Sequence, residues 1–387
     1  MSEVYIVGAA RTPIGSFQGA LKSFSAPALG AHAIRAALAA AKAPAEHIDE
    51  AVIGNVVAAG VKQAPARQAA RAAGLPDACG ATTVNKVCGS GMKATMLASD
   101  LIRAGSAELV VAGGMESMTN APYLLPRARA GLRMGHAELK DAMFLDGLED
   151  ADTGRSMGTF AQDTADAHQL TRAEMDDYAV RSVERARAAI ASGALAAEIA
   201  PIVVDGAQVT ADEQVERAKI ERIPSLKPAF KEHGTITAAN SSSISDGASA
   251  LVAASERAVA RHRLEPLARI VGHATHARHP SEFTIAPIGA IEKLLAKVGW
   301  TKESVDLYEI NEAFAMVAML AIRELGLDAA RVNAFGGACA QGHPIGSTGS
   351  RLIVTLTHAL RRRGARRGIA ALCIGGGEAT AIALERI

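Results

Sequence analysis

Hydrophobic and polar positions along the chain fall into two alternating patterns. Short unbroken apolar runs bounded by glycine, VYIVG from Val4, LVVAGG from Leu109 and IAALCIGGG from Ile369, predict strands covered on both faces. Between them lie alanine-rich stretches with helical spacing, among them residues 28–41 and 92–104. Strands alternating with helices predict an α/β protein built on largely buried sheets. From 120 to 242 the pattern changes to proline and glycine punctuation with charge clusters such as RARAGLRMGH and ADEQVERAKIER, and it reads as an insertion. Inside it, MDDYAVRSVERARAAIASG puts Met175, Tyr178, Ala179, Val183 and Ala186 on one face of a helix that Gly193 ends.

Three fragments of the first third recur in the same order in the last third. VYIVGAARTP at 4 is similar to ARIVGHATHARHP at 268, HIDEAVIGN at 47 to SVDLYEINE at 304, and VVAGGMES at 110 to LCIGGGEAT at 372. Ordered matches of this kind predict duplicated α/β halves. The expected organisation is an N-terminal half over 1–119 and 243–267, an inserted domain over 120–242, and a C-terminal half over 268–387.

Composition narrows the class. A chain of 387 residues with 49% hydrophobic and 21% charged positions has the balance of a globular protein, which excludes collagenous, disordered and coiled-coil classes. Lys and Arg number 41 against 40 Asp and Glu, and aromatics make up 3%, so nucleic acid is not an expected partner. No apolar run approaches the roughly 18 residues of a membrane span, and MSEVYIVG lacks the basic start of a secretory leader. The four cysteines, Cys79, Cys88, Cys339 and Cys373, form no C-x-x-C pair and fit a reducing compartment, so a cytoplasmic location is expected.

Four segments carry candidate chemistry. In TTVNKVCGSGMKATM, Cys88 sits between a β-branched run and a helix, where backbone N–H groups and the helix dipole favour a thiolate; the plainer reading is a small buried core cysteine. In NAFGGACAQGHPIGSTGSR, His343 stands on a glycine-dense turn, either as a base or oxyanion donor or as a turn histidine satisfied by backbone. In ALCIGGGEAT, Cys373 ends a strand and Gly375, Gly376 and Gly377 expose N–H groups suited to an oxyanion or simply to a tight turn; the P-loop lysine is missing. In YEINEAFA, Asn311 and Glu312 interrupt an apolar run, and Asn311 is read either as a helix cap or as a group that positions water or substrate. His273, His276 and His279 form a loop cluster whose spacing fits no zinc pattern, so no metal is expected.

Together these segments resemble the thiolase family. The motifs are N-x-x-C-G-S-G at Asn85 to Gly91, N-E-A-F-A at Asn311 to Ala315, G-G-A-x-A-x-G-H-P-x-G at Gly336 to Gly346, and C-x-G-G-G at Cys373 to Gly377. The resemblance spans essentially the whole chain. It implies duplicated mixed-sheet halves in a layered αβαβα sandwich, with 120–242 as a loop domain over coenzyme A. It implies that Cys88 carries an acyl group, that His343 takes the thiol proton, and that Cys373 moves the α-proton of a second acyl-CoA. Asn311 would hold a water that joins His343 at one oxyanion, and the N–H groups of Cys88 and Gly375 would face the other. Ser242 would meet the pantetheine amides, Phe230, Leu148, Met157 and Phe314 would line its tunnel, and Arg217 would reach the nucleotide. Coenzyme A and acyl-CoA enter as substrates, with no resident cofactor. NAPYLLPRARAGLRMGH is similar to the segment through which family members form tetramers, so a homotetramer is expected.

The implied activity is the reversible condensation of two acetyl-CoA to acetoacetyl-CoA, the alternative being thiolysis of longer 3-ketoacyl-CoA. Cys373 argues against a decarboxylating ketoacyl synthase, and the full catalytic set argues against a noncatalytic lipid-binding scaffold. Gln341, Ser156, FTIAP at 283–287 and Glu378, Ala379 and Thr380 after the glycine triplet depart from common family patterns and leave acyl-chain length open.

Overall fold

The computed structural model describes residues 2–387. In the first half, strands β1 (Val4–Arg11), β2 (Glu50–Gly54), β3 (Gly80–Val84) and β4 (Leu109–Ser117) alternate with helices α1 (Ala26–Ala41), α2 (Pro65–Ala72) and α3 (Ser90–Arg103). Residues between β4 and the next strand of the main sheet carry α4 (Met157–Ala167), α5 (Arg172–Ala191) and the five-residue helix α6 (Glu213–Arg217), with two separate two-stranded ribbons. The chain then returns as β5 (Ser245–Ser255) and α7 (Glu256–His262). The second half runs β6 (Ala268–Ala277), α8 (Ala286–Val298), β7 (Leu307–Ile310), α9 (Ala315–Leu325), α10 (Ala338–Gln341), α11 (Ile345–Arg362), β8 (Arg367–Ile374) and β9 (Glu378–Arg386).

Local sequence explains the helix ends. Ser25 accepts the N–H of Ala28 to start α1, and Lys42 in the left-handed region stops it. Thr171 and Glu174 form a reciprocal capping box at α5, whose buried positions include Met175, Tyr178, Ala179, Val183 and Ala186 as the periodicity requires.

One ten-stranded sheet carries the duplication. Its main path runs β7-β8-β9-β6-β1-β5-β4-β2-β3, with the short strand Gly15–Ser16 on β5. The order β2-β4-β5-β1 in one half is repeated as β7-β8-β9-β6 in the other. The halves meet where β1 and β6 pair through Tyr5 with Arg269 and Ile6 with Ala268. α3 and α11 pack on each other and touch strands of both halves, so the half-sheets close on a shared helical layer. That central core joins Val52, Met96 and Leu251 to Leu307, Leu356 and Leu372. α1 and α2 cover the outside of one half, α8 and α9 that of the other. β4, β5 and nearly all of β8 are buried, which is why they read as unbroken apolar runs.

The central helices approach closely because glycines face each other across them. A Cβ at Gly91 would lie 2.8 Å from the backbone N of Ser350, and one at Gly349 would lie 2.4 Å from that of Met92. This contact brings the starts of α3 and α11 together, and the site is built there.

Two of the three clustered histidines are on a strand rather than in a loop. His273 and His276 lie on β6, whose alternation sends them to different surroundings. His273 pairs with Asp100 at 2.9 Å, and His279 accepts the N–H of Ser281 at the next turn. Among the described residues no group of three or more His, Cys, Asp or Glu is placed to hold a metal, and no helix is long and apolar enough to cross a membrane.

Candidate active site

α3 and α11 are preceded by matching turns, with Cys88 two residues before Ser90 and His343 two residues before Ile345. The Cys88 turn is held from within. Asn85 Oδ1 accepts the Val87 N–H at 2.9 Å, while Ser90 Oγ accepts the Lys86 N–H at 2.8 Å and donates to the Val87 carbonyl at 2.7 Å. These bonds fix Val87 at φ +45°, a left-handed conformation that costs a β-branched residue about 1–3 kcal/mol.

The Gly375 backbone N–H lies on the side of the Cys88 sulfur and favours the thiolate, yet burial outweighs it and pushes the thiol up to about 11. This corrects the expectation of a thiolate favoured by the helix start: in the resting site desolvation wins and the group is a thiol. Cys373, at the end of β8, is fully buried, and burial first and Cys88 second raise its thiol well above the ordinary value.

His343 is buried and its tautomer can be assigned. Its Nδ1 lies 2.7 Å from Thr348 Oγ1, and that hydroxyl donates to the Pro344 carbonyl at 3.0 Å. With its proton committed, Thr348 can only accept, so Nδ1 carries the hydrogen and Nε2 has the lone pair. Nε2 has no protein partner. Burial, helped by the charge of Arg351, lowers the imidazole from 6.5 to about 3, leaving it neutral at physiological pH.

Asn311 is not a helix cap, since the residue capping α9 is Phe314. It is fully buried with both amide atoms unpartnered, whereas Asn55, which the repeat sets opposite Glu312, donates to Glu116 at 2.6 Å. Glu116 also accepts the N–H groups of Val56, Val57 and Gly346, and burial nevertheless raises it to about 7. Asn55 is spent on structure, and Asn311 has no protein partner. Glu312 is structural too, accepting from Tyr178, Ser182, Asn333 and the Cys339 N–H and so tying α5 to the second half.

A cavity of about 430 Å³ opens onto this group, with Cys88, His343 and Gly375 in its wall. Leu148, Met157, Phe230, Ser242 and Phe314 line the same cavity. Phe314 meets Phe230 and Phe283 edge to face, with centroids 6.1 and 6.5 Å apart. Phe230 lies flat over Gly158, where a Cβ would come within 2.2 Å of the ring. Cys373 and Asn311 lie behind the wall rather than on it. Arg217 is outside the cavity, exposed and paired with Glu213, and the residue of α6 that reaches the wall is Gln214. The Ser242 hydroxyl donates to the Ala313 carbonyl at 3.0 Å, while the neighbouring Ser241 hydroxyl is buried without a partner.

Sequence reasoning missed Glu116, Thr348, Ser241 and Phe283. Glu116 was detectable as a charge in an apolar strand; the hydroxyls were hidden in a chain stretch where serine and threonine are frequent.

Residues 4–257 match the family model described as thiolase, N-terminal domain, and residues 264–386 the one described as thiolase, C-terminal domain. An acetyl-CoA acetyltransferase of Schizosaccharomyces pombe is 47% identical over 392 residues, covering 100% of this chain and 99% of the relative. The acetyl-CoA acetyltransferase of Pseudomonas aeruginosa is 47% identical over 392 residues, with 100% of both chains covered. Among solved structures, the Ascaris suum Acat5 thiolase in complex with coenzyme A superposes with a TM-score of 0.96 at 42% identity, covering 100% of both chains. Human mitochondrial 3-ketoacyl-CoA thiolase in complex with CoA gives 0.97 at 38% identity, covering 100% of this chain and 98% of that one.

Proposed function

The chain belongs to the thiolase family, and from that premise we propose that it is an acetyl-CoA C-acetyltransferase, joining two acetyl-CoA to acetoacetyl-CoA and free coenzyme A. The observation that carries the reading is the convergence of Cys88, an unpartnered imidazole nitrogen and the Gly375 backbone at one apolar cavity, with the Cys373 thiol buried just behind its wall. Relatives of full-length similarity carry the acetyltransferase name, which favours the short-chain reaction over the longer-chain thiolase reading.

Both Cys88 and His343 rest neutral, so the proton passes from sulfur to Nε2 as the sulfur attacks the thioester carbon. The imidazolium then offers an N–H where Nε2 had a lone pair. The N–H groups of Cys88 and Gly375 receive the oxyanion. When the tetrahedral adduct collapses, the coenzyme A sulfur leaves with the proton of Cys373, and Cys88 holds the acetyl group. The Cys373 thiolate, desolvated and strongly basic, takes the α-proton of a second acetyl-CoA. His343 and a water held by Asn311 face the enolate oxygen, the carbanion attacks acetyl-Cys88, and Cys88 departs as the thiolate paired with the imidazolium. In thiolysis Cys373 returns the same proton. Acyl-CoA thioesters are substrates here, and no step calls on a resident cofactor.

In this reading the pantetheine arm lies along Leu148, Met157, Phe230 and Phe314, with Ser242 or its neighbour Ser241 at the amides and Arg217 outside the mouth, toward the nucleotide. The inserted residues 120–242 form the covering domain, between halves 1–119 with 243–267 and 268–387. A homotetramer is proposed on the exposed apolar side chains Tyr123, Leu132, Met134 and Leu139 of one projecting segment. A cytoplasmic location fits the four free cysteines.

Thiolysis of acetoacetyl-, 3-ketohexanoyl- and 3-ketodecanoyl-CoA at fixed coenzyme A tests the assignment through kcat/KM. A steep preference for acetoacetyl-CoA is expected. Equal use of the longer chains would replace the reading with a broad 3-ketoacyl-CoA thiolase, and inactivity on all three would overturn it.

A further inference from the structure

Cys88 and Gly375 come from opposite halves of the duplicated fold and share one cavity wall, so the approach of the Gly375 N–H to the Cys88 sulfur depends on how firmly their two turns are held together. Three contacts join the turns. A Cβ at Gly89 would lie 2.4 Å from Ile374 Cδ1, and one at Gly375 would lie 3.7 Å from Val87 Cγ1. The third is an ion pair between Lys86 and Glu378, outside the cavity wall and only partly exposed, at 22% and 35% for the two side chains.

The repeat gives that pair a counterpart. Aligning VVAGGMES with LCIGGGEAT sets Glu378 opposite Glu116. Glu116, from the first half, binds the N–H of Gly346 at the start of α11 in the second half. Glu378, from the second half, binds Lys86 in the turn before α3 in the first. Each half thus sends a glutamate to the turn that starts the other half's central helix.

We propose that the Lys86–Glu378 pair is a positioning device that holds the Cys88 turn against the Gly375 turn, keeping the Gly375 N–H on the nucleophilic sulfur. It rests on the acyl-transfer reading only in taking Cys88 as the sulfur that matters. The groups facing that sulfur are the Gly375 N–H, the Cys373 thiol, Glu116 and, across the cavity wall, His343. Lys86 and Glu378 lie outside the cavity wall, and the role assigned to the pair is geometric.

The test is the rate at which iodoacetamide alkylates Cys88 in the full chain, read by peptide mass mapping from pH 7 to 10. The variants are Lys86→Met, Glu378→Gln and the exchanged pair Lys86→Glu with Glu378→Lys. Breaking a partly exposed pair is expected to slow alkylation near pH 8.5 by about two- to fivefold. Both single variants move the same way, 1 M NaCl slows the wild type similarly, and the exchanged pair recovers to within about twofold. Opposite effects of the two single variants would show charge acting directly on the sulfur, and unchanged rates or no recovery would also overturn the proposal. Acetylation of Cys88 by acetyl-CoA is followed in parallel. A wild type that alkylates as expected but never acetylates refutes the acyl-transfer reading and leaves the positioning role standing.

Discussion

Replacing Thr348 by valine removes one oxygen and keeps the side-chain shape, and its consequence can be worked from the His343 geometry. In the wild type Nδ1–H donates to Thr348 Oγ1 at 2.7 Å, which leaves the Nε2 lone pair without a protein partner. Valine orphans a buried N–H, at a cost of about 1–3 kcal/mol. The Pro344 carbonyl loses nothing essential, since it still accepts the N–H groups of Ser347 at 2.9 Å and Thr348 at 3.0 Å. The ring's cheapest response is to move the hydrogen to Nε2, which disarms it as the base for Cys88. The penalty converts to roughly a 5- to 150-fold loss in the acetylation step. Because Thr348 is not in the cavity wall, KM for acetyl-CoA should stay within about twofold, and kcat and kcat/KM should fall together. Rapid-quench mass spectrometry of acetyl-Cys88 formation measures this directly, with Thr348→Ser as the control that keeps the acceptor. Acetylation by Thr348→Val at the wild-type rate, or a serine variant as slow as valine, would refute the tautomer argument.

Other outcomes follow from the same geometry. Cys88→Ala should abolish thiol-bound acetyl, whereas Cys373→Ala should acetylate Cys88 more slowly and fail to condense; a Cys88→Ala chain that still acquires thiol-bound acetyl in the mass spectrum would reassign the nucleophile. For pH, the folded-state value of His343 is depressed from 6.5 to about 3, so the unfolded chain binds the proton first, and the stability this group contributes above pH 6.5 is lost as pH falls toward 3. Between pH 7 and 5 that amounts to about 2 kcal/mol, and urea unfolding of His343→Asn should show a correspondingly flatter acid dependence; equal slopes would count against it. Gly158→Ala puts a methyl group against the Phe230 ring, so the ring must shift along the cavity wall, and steady-state thiolysis should show KM raised severalfold with kcat little changed.

The layered duplicated fold was legible in the sequence, and so were the candidate reactive groups that the structure brings together. Strands such as β4 and β8 are buried throughout, so their apolar runs were unambiguous, and glycine-bounded turns marked where Cys88, His343 and Cys373 would stand. Contacts far apart in the chain decided the rest. The state of Cys88 was set by desolvation, which no local pattern measures, and it reversed the expectation drawn from the helix start. Asn55 and Asn311 are indistinguishable as letters, yet packing against Glu116 separates the spent Asn55 from the unpartnered Asn311. The histidines of HATHARH read as a loop because charge and proline follow them, while pairing of β6 with β9 put His273 and His276 on a strand and left His279 in the turn after it. Local sequence specifies backbone preference and residue type; which donor meets which acceptor depends on the close approach of two halves that are joined at a strand pair and packed across α3 and α11.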